Sequence, residues 1–314
     1  MIKSTGSASS TRVPEHGGDL TYVLITPARN ESEYVELTLK SMVRQTHPPV
    51  KWVIVSDGST DGTDDIVKRY AAEFKWIELV RMPERAERHF AGKVNAFNAG
   101  YETIKDMRYD IIGSMDADIS FDADYFSFVL GKFAENPRLG VGGTPFREGP
   151  HQYDYRFTSI EHVSGACQLF RRECYESIGG YVPREIGGID LVAVITARMK
   201  GWQTRSFPEK SYEHHRKLGT GTHSRLRAAF KIGCADYILG GHPLWEIFRS
   251  IYQMKNEPLI LGGCLRLLGF YWAILTRVGK SVPNDFVAFR RQEQISRLRK
   301  FFSGLLFHGE KGQI

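Results

Sequence analysis

Two aspartates one residue apart, Asp116 and Asp118, follow a mainly apolar run at 111–115. Such a run is typical of a buried strand, and residues i and i+2 of an extended segment project to the same side. Carboxylate oxygens are ligands that Mg²⁺ and Mn²⁺ accept, with water and substrate phosphates completing the shell. The spacing therefore predicts a divalent-metal site at the carboxyl end of this strand. The alternative is an acidic pair that only opens a loop and caps the next helix.

Polar residues also collect after two earlier strand-like segments. Pro27, Arg29, Asn30 and Glu31 follow the first, and an Asp-Gly-Ser-Thr-Asp-Gly-Thr loop at 57–63 follows the second. The same residue types are ordinary at turns and helix starts, so the 57–63 loop alone is equally consistent with a structural turn. The three polar clusters together predict a mixed site for a sugar or base hydroxyl, a phosphate and a metal.

The segments that position these clusters alternate between two patterns. Short β-rich runs occur at 22–26, 52–56, 76–80 and 110–115, and Pro27 is expected to end the first of them. Apolar residues at helical spacing follow the first three runs, from about residue 32, at 66–74 and at 91–104. This alternation predicts an α/β fold with a parallel, right-handed, doubly wound sheet. Such sheets bind ligands at the carboxyl ends of their strands, where the polar clusters lie.

The composition narrows the class of protein. Of 314 residues, 42% are hydrophobic and 25% charged, as in ordinary globular proteins. The net charge of +6 favours anionic ligands or lipid, but the first half contains no basic block interleaved with aromatic residues, so we expect no nucleic-acid partner. The four cysteines lack the paired spacings of zinc or redox motifs, which favours a reducing cytosol. Residues 1–19 have no apolar core, and we expect a disordered tail there rather than a signal peptide.

Four motifs together resemble the successive signatures of family 2 glycosyltransferases of the GT-A fold. In chain order they are Pro-Ala-Arg-Asn-Glu at 27–31, Ser-Asp-Gly-Ser-Thr-Asp-Gly-Thr at 56–63, Gly-Lys-Val-Asn-Ala-Phe-Asn-Ala-Gly at 92–100 and Asp-Ala-Asp at 116–118. The resemblance extends over about residues 20–215. It implies a Rossmann-like, mainly parallel sheet flanked by helices, and a nucleotide-sugar donor carrying UDP, GDP or dTDP.

The resemblance also implies roles for individual residues. The nucleotide is expected to contact six of them: Pro27, Arg29, Glu31, Asp57, Lys93 and Asp116. Asp118 is expected to bind Mg²⁺ or Mn²⁺, which holds the diphosphate, and Asp116 faces the ribose or the same metal. A histidine that follows a later strand, His214 or His215, completes the metal site.

Later motifs resemble the part of the family that borders the donor sugar and the acceptor. Four residues are expected on this side of the site: Ser164, Gly165, Ala166 and Arg216. Asp190 stands where the family carries its catalytic base, although Ile189 replaces the glutamate that commonly precedes it. A carboxylate at a helix start can be oriented by free backbone N–H groups, and its alternative role is an ordinary N-cap. The basic loop at 217–227 resembles a mobile segment that closes on the diphosphate.

The resemblance implies an inverting, metal-dependent transfer of a single sugar to a hydroxyl of an acceptor, which we expect to be a lipid-linked saccharide of surface polysaccharide or glycolipid assembly. The first alternative is a polyprenyl-phosphate glycosyltransferase, whose phosphate acceptor needs no base. Further alternatives are a sugar-phosphate nucleotidyltransferase, whose glycine-rich phosphate loop is missing after the first strand, and an inactive membrane adaptor. The sequence Gln-Ile-Ser-Arg at 294–297 resembles the Q-x-x-R-W signature of processive enzymes, but Leu298 replaces its Trp, which disfavours a polymer synthase.

The last third of the chain differs in composition. Its longest apolar segment, 258–278, is about long enough to span a bilayer, but it contains Arg266 and three glycines and has basic residues on both sides. A basic amphipathic pattern follows at 286–302. We expect helices that lie on an anionic membrane surface at its cytoplasmic face, with a single span, a soluble helical subdomain or an oligomer interface as alternatives. The predicted organisation has three parts: a disordered tail at 1–19, a GT-A catalytic domain at 20–227 and a membrane-associating helical extension at 228–314.

Overall fold

A seven-stranded sheet forms the centre of the computed structural model, which describes residues 20–84, 90–148, 159–184, 186–216, 225–254 and 259–309. In spatial order its strands are β3 (Ile77–Met82), β2 (Lys51–Asp57), β1 (Tyr22–Ala28), β4 (Ile111–Met115), β8 (Cys167–Arg171), β6 (Leu139–Gly143) and β9 (Gln203–Ser206). β8 is antiparallel to β4 and β6, and the other pairings are parallel. The predicted mainly parallel sheet is confirmed. The tail at 1–19 and the loop residues 217–224 lie outside the described residues.

The chain reverses its direction across the sheet after β3. β1, β2 and β3 succeed one another toward one edge, and β4 then returns to the other side of β1. A crevice therefore opens at the carboxyl ends of β1 and β4, which is where open α/β sheets bind ligands. A second, three-stranded sheet joins β5 (Ile119–Ser120), β10 (Tyr212–His214) and β7 (Phe146–Arg147) beyond these ends.

Helices cover both faces of the central sheet, because successive side chains of each strand point to opposite sides. Tyr22 and Leu24 of β1 belong to a core shared with α1 (Val35–Met42), α2 (Thr63–Glu73) and α4 (Tyr125–Glu135). Val23 and Ile25 belong to the opposite core, shared with α3 (Phe90–Ile104), α5 (Arg172–Ser177) and α6 (Ile189–Met199). α3 lies close to the sheet at Gly100, where a Cβ atom would stand 2.7 Å from a methyl carbon of Ile25.

Two predicted boundaries near the amino terminus are wrong. β1 runs through Pro27 to Ala28, whereas Pro27 was expected to end it. The pairing of β1 with β4 stops at Ile25, so the missing N–H of Pro27 interrupts no hydrogen bond on that side, and Pro27 pairs with Val55 of β2. α1 begins at Val35 rather than near residue 32, because a turn precedes it in which the N–H groups of Tyr34 and Val35 donate to the carbonyl of Glu31.

Four helices form the carboxyl-terminal part of the described chain: α7 (Arg225–Ile238), α8 (Pro243–Gln253), α9 (Leu259–Leu275) and α10 (Asn284–Gly309). α7 and α9 approach each other closely through two glycines. A Cβ atom at Gly233 would stand 1.9 Å from the carbonyl oxygen of Arg266, and one at Gly269 would stand 2.1 Å from that of Phe230. The glycine of α9 at this crossing therefore serves helix packing.

A cluster of buried charges joins these four helices. The carboxylate of Asp236 on α7 pairs with Arg266 on α9, with Arg290 on α10 at 3.0 Å and with Arg249 on α8 at 3.3 Å. Arg266 also donates to the Glu246 carboxylate of α8 at 2.6 Å. Burial alone would raise the pKa of Asp236, but the three guanidinium groups outweigh it and lower that pKa to about 2. All four helices thus meet at one ionised carboxylate.

Helix α9 accounts for most of the apolar segment 258–278. Within the ranges that the structure describes, no helix is long and apolar enough to cross a membrane. α9 has 17 residues, and its Arg266 side chain is buried in the charge cluster described above. Helix α9 therefore packs against α7 and α8 with Arg266 on its inner side.

Fewer basic side chains of the segment 286–302 are available to an anionic surface than the sequence predicted. Arg290 and Arg291 donate to backbone carbonyls just beyond the end of α7, and Arg297 donates to the Glu161 carboxylate at 3.1 Å. Arg299 and Lys300 are exposed. Three of the five basic residues in this pattern are therefore used within the protein itself.

Candidate active site

Asp116, Asp118 and His214 lie together at the carboxyl end of β4. Asp116 and Asp118 leave β4 and lead into β5, which pairs antiparallel with β10 so that His214 stands opposite Ile119. One ligand atom from each of the three side chains lies within 4.8 Å of the others. Asp118 and His214 are buried, at 7% and 8% exposure. The register of two short strands therefore brings together residues that are far apart in sequence.

This donor set fits a divalent cation. Around one ion with bonds of about 2.0–2.2 Å, neighbouring ligand atoms lie roughly 3–4 Å apart, close to the separations found here. Nε2 of His214 is 3.8 Å from an Asp118 oxygen, and its buried Nδ1 has no hydrogen-bond partner. The ring of His215 instead bonds to the Ser120 hydroxyl at 2.9 Å and stacks on Tyr34. Of the two candidate histidines, His214 is the one placed with the carboxylates.

The electrostatics of the cluster favour a bound cation. Burial and the nearby Asp116 carboxylate raise the pKa of Asp118, while His214, Arg216 and Lys93 act in the opposite direction. Two carboxylates held this close repel each other, and a divalent charge between them removes that repulsion.

Arg216 lies beside the same cluster. Its guanidinium pairs with Glu31, and its Nε is 3.6 Å from an Asp118 oxygen. The guanidinium carbon also stands 5.7 Å from the centre of the Tyr34 ring. Arg216, which was predicted on the sugar side of the site, is therefore placed between Glu31 and Asp118.

The loops after β1 and β2 are joined into one wall of the crevice. The N–H of Glu31 donates to the Thr63 hydroxyl at 2.8 Å, and the N–H of Ser32 donates to Asp61 at 2.9 Å. Burial would raise the pKa of Asp61, but its bonds to Thr63 and Ser32 outweigh that and lower it to about 2. Asp61 therefore serves structure, as the turn interpretation of part of this loop expected.

Three residues predicted to contact the nucleotide lie at the same strand ends. Arg29 stands 3.7 Å from the buried carboxylate of Asp57, and Pro27 is the next-to-last residue of β1. A cation paired with a carboxylate at these strand ends can offer both a donor and an acceptor to a bound base.

Lys93 pairs with Asp116. It projects from α3, and its Nζ is 2.5 Å from an Asp116 oxygen. Desolvation would lower the pKa of Lys93, but Asp116 outweighs it and raises that pKa, with Asp190 and Asp118 adding to the effect. The ammonium group is therefore charged and within the field of all three carboxylates.

Asp190 occupies the first turn of α6, after Gly188 in a left-handed conformation with φ of 71°. Its side chain lies against Gly165, where a Cβ atom would stand 2.7 Å from that of Asp190. The neighbouring Ala166 accepts the N–H of Asp116 at 2.8 Å and donates to the Ser164 hydroxyl at 3.3 Å. The predicted loop of small residues thus links the strand end that carries Asp116 to the start of α6.

Two residues that interact electrostatically with Asp190, His162 and Tyr181, are not among the predicted site residues. Burial lowers the pKa of the His162 imidazole, Asp190 opposes that shift, and arginines of α8, α6 and α10 reinforce it. Burial raises the pKa of Tyr181, with Asp190 among the smaller causes, and the Tyr181 hydroxyl donates to Gln168 at 2.6 Å. Their sequence signal is position: His162 lies just before the 164–190 stretch, and Tyr181 lies within it.

The carboxyl-terminal helices hold the helix that carries Asp190. Arg198 of α6 makes two bonds to Glu293 of α10, at 2.6 and 2.9 Å, and its third nitrogen donates to the Glu161 carbonyl at 3.2 Å. A Cβ atom at Gly188 would stand 2.6 Å from a methyl carbon of Leu239. A small apolar core joins the two parts through Val192, Ile195, Leu239, Val282, Phe286 and Val287.

Comparison with solved structures shows a shared fold. A mannosyltransferase of Pyrobaculum calidifontis, PcManGT, solved with GDP-Man and Mn²⁺, superimposes with a TM-score of 0.55 at 19% identity over 91% of this chain and 83% of the other. Residues 1–349 of S. aureus TarS, solved with UDP-GlcNAc, superimpose with a TM-score of 0.53 at 12% identity over 90% and 80% of the two chains. Both share the GT-A arrangement of this chain.

Sequence comparison identifies the family. A poly-beta-1,6-N-acetyl-D-glucosamine synthase of Staphylococcus epidermidis is 33% identical over 138 residues, which are 43% of this chain and 31% of the relative. The synthase of the same name from Staphylococcus aureus is 29% identical over 136 residues. The match thus spans about a third of the length of these relatives. The profile of glycosyl transferase family 2 matches residues 23–185, more than half of the chain, and this protein is therefore a member of that glycosyltransferase family.

Proposed function

We propose that this chain transfers a sugar from a nucleoside-diphosphate sugar to a hydroxyl group of a saccharide acceptor, with inversion at the anomeric carbon. The observation that carries the proposal is the pairing of Lys93 with Asp116 at 2.5 Å, in a group of charges to which Asp118 and Asp190 also contribute. A base and an anion-binding centre thus share one crevice. The GDP-Man and Mn²⁺ bound by the mannosyltransferase of the same fold support this donor class and a metal.

In the proposed reaction Asp190 accepts the proton of the acceptor hydroxyl while that oxygen bonds to the anomeric carbon. The bond from the anomeric carbon to the diphosphate breaks in the same step, and its electron pair leaves with the diphosphate. Attack from the opposite face inverts the anomeric configuration. Lys93 donates to the departing diphosphate. A divalent cation held by Asp116, Asp118 and His214 would neutralise charge on that leaving group.

The comparisons order the donors and products to test. The two matched synthases are named for a polymer of N-acetylglucosamine, and TarS was solved with UDP-GlcNAc, so that UDP-GlcNAc is the first candidate and GDP-Man the second. We propose a lipid-linked saccharide as the acceptor, because α9 exposes large apolar side chains and the basic residues Arg277 and Lys280 just beyond it are exposed as well. The length of the product separates the proposed single transfer from the polymer synthesis of the relatives.

The first experiment follows release of nucleoside diphosphate by the purified protein, with Mn²⁺ or Mg²⁺ and a panel of UDP-, GDP- and dTDP-sugars. Metal-dependent release from one donor is expected, and Asp118→Ala should abolish it. Asp124→Asn, a change at an exposed ion pair with Lys210, is the matched control and should retain activity. Absence of release from every donor, together with no nucleotide binding in calorimetry, would overturn the proposal.

The role of Asp190 is tested with the donor and acceptor so identified. Asp190→Asn should lower transfer to a hydroxyl by about 10²–10⁴-fold, the usual contribution of a general base, and leave donor affinity unchanged. A phosphate acceptor is already ionised at neutral pH, so an effect below about tenfold would instead favour the polyprenyl-phosphate alternative.

A further inference from the structure

Helix α9 turns its charge inward and its apolar residues outward. Arg266, the one charged residue among Leu259–Leu275, is buried and pairs with Asp236 and Glu246. The opposite side of α9, called here the outer stripe, is formed by Leu261, Cys264, Leu268, Tyr271, Trp272 and Leu275. Their spacing of three and four residues places them on one helical face.

The outer stripe is highly exposed. Leu268, Trp272 and Leu275 expose 56%, 54% and 78% of their surface. From Leu261 to Leu275 the stripe extends along roughly 21 Å of helix at 1.5 Å per residue. Scattered single apolar residues are normal on a protein surface, whereas a contiguous apolar stripe of this length marks an interaction site.

The charges around the outer stripe are cationic. Asp236 and Glu246 are the acidic residues of α7, α8 and α9, and both are buried in ion pairs with arginine. Arg277 and Lys280, just beyond the end of α9, are exposed, as is Lys231 on α7. Among the described residues from 225 to 283, no carboxylate faces solvent.

We propose that the outer stripe docks α9 in the plane of an anionic lipid bilayer, at the boundary between headgroups and acyl chains. Trp272 and Tyr271 suit that boundary, because amphipathic rings concentrate at headgroup level. Arg277, Lys280 and Lys231 then face anionic headgroups. On the inner side of α9, Asp236 and Glu246 neutralise the charge of Arg266, so that this side needs no contact with water. The proposal does not rest on the proposed reaction, because binding to lipid needs no substrate.

A second copy of the chain is the other conceivable occupant of the outer stripe. The described part of this face offers no exposed carboxylate to pair with Arg277 and Lys280 of a partner, whereas an anionic lipid surface offers many. Like charges brought together without counterions oppose association. The charge pattern therefore favours lipid.

Flotation with the full chain tests the proposal, using vesicles of phosphatidylcholine alone or mixed equally with phosphatidylglycerol. Binding to the anionic vesicles, at least tenfold stronger than to the neutral ones, is expected. The double variant Leu268→Asp with Leu275→Asp should lower it at least tenfold, while Val50→Asp, at a site 44% exposed in the catalytic part, should not. No binding to anionic vesicles would overturn the proposal, as would a dimer in light scattering that the double variant dissolves.

Fluorescence quenching tests the orientation independently. Vesicles with brominated acyl chains should quench the emission of the bound protein, and Trp272→Phe should remove most of that quenching, because the other described tryptophans lie off the outer stripe. This conservative variant keeps the apolar character of the stripe, so binding itself should persist. Equal quenching in the wild type and in Trp272→Phe would place a different surface on the lipid.

Discussion

Replacing Asp236 by asparagine removes the charge on which the carboxyl-terminal helices converge, and keeps the shape of the side chain. Arg266 and Arg290, both almost fully buried, then lose a common counterion, and Arg249 loses a contact at 3.3 Å. Glu246 still pairs with Arg266, so one of the three guanidinium groups keeps a carboxylate. The variant therefore leaves an excess of buried positive charge among α7, α8, α9 and α10.

The expected loss of stability follows from this geometry. Removing one partner of a buried ion pair costs about 3–5 kcal/mol, and the remaining Glu246 places Asp236→Asn at the lower end, about 3 kcal/mol. The lowering of the Asp236 pKa from 3.8 to about 2 corresponds to about 2 kcal/mol, which is the same order. Because the pKa is depressed in the folded state, this stabilisation is present above about pH 4 and is lost as the pH falls through about 2.

Thermal unfolding at pH 7 measures the effect. At about 2–4 °C per kcal/mol, Asp236→Asn should lower the melting temperature by about 6–12 °C. The control Asp124→Asn removes the charge of a side chain that is 60% exposed and pairs with Lys210 at the surface. It should shift the melting temperature by about 1 °C. A melting temperature of Asp236→Asn within 2 °C of the wild type would refute the reasoning that this carboxylate holds the helices together.

Three further predictions concern the site. His214→Asn should weaken Mn²⁺ binding in calorimetry at least tenfold, because it removes one of three ligands, whereas an equal loss in His215→Asn would contradict the assignment. Glu293→Gln weakens the bonds to Arg198 that hold α6, and should lower kcat several-fold at unchanged donor affinity. A change in donor affinity alone would mean that α10 does not act through the position of Asp190. Gly188→Ala places a side chain at a φ of 71° and should lower the free energy of unfolding by about 1–2 kcal/mol, measured by chemical unfolding. An unchanged free energy of unfolding would mean that the turn is not strained by a side chain.

The predictions that are confirmed concern strands, helices and short motifs, which depend on residues close together in the sequence. The alternation of β-rich runs and helical stripes predicted the parallel sheet, because burial on both faces requires apolar strands and amphipathic helices. Family membership followed from four short motifs, and it is confirmed by the profile match over residues 23–185. The roles assigned to Asp190, Lys93 and the metal-binding residues stay predictions, although the structure places them in one crevice.

Other features could not be read from local pattern. The antiparallel insertion of β8 between β4 and β6 depends on the path of the intervening chain. The inward turn of Arg266 depends on Asp236 and Glu246 lying on two other helices, and the same segment alone is compatible with a membrane span. The basic residues of α10 were predicted to face lipid, but several bond to carbonyls and carboxylates that come from elsewhere in the sequence.

The amino-acid order alone thus settles which residue types end each strand, since hydrophobic period and turn chemistry act over a few neighbours. It already places Asp116 and Asp118 at the end of a strand and Asp190 at the start of a helix. Which histidine joins them is decided by the pairing of β10 with β5, because a shift of one residue would exchange His214 for His215. The position of Asp190 likewise depends on α10 and Leu239, more than forty residues away, because a helix start is oriented by whatever packs against it.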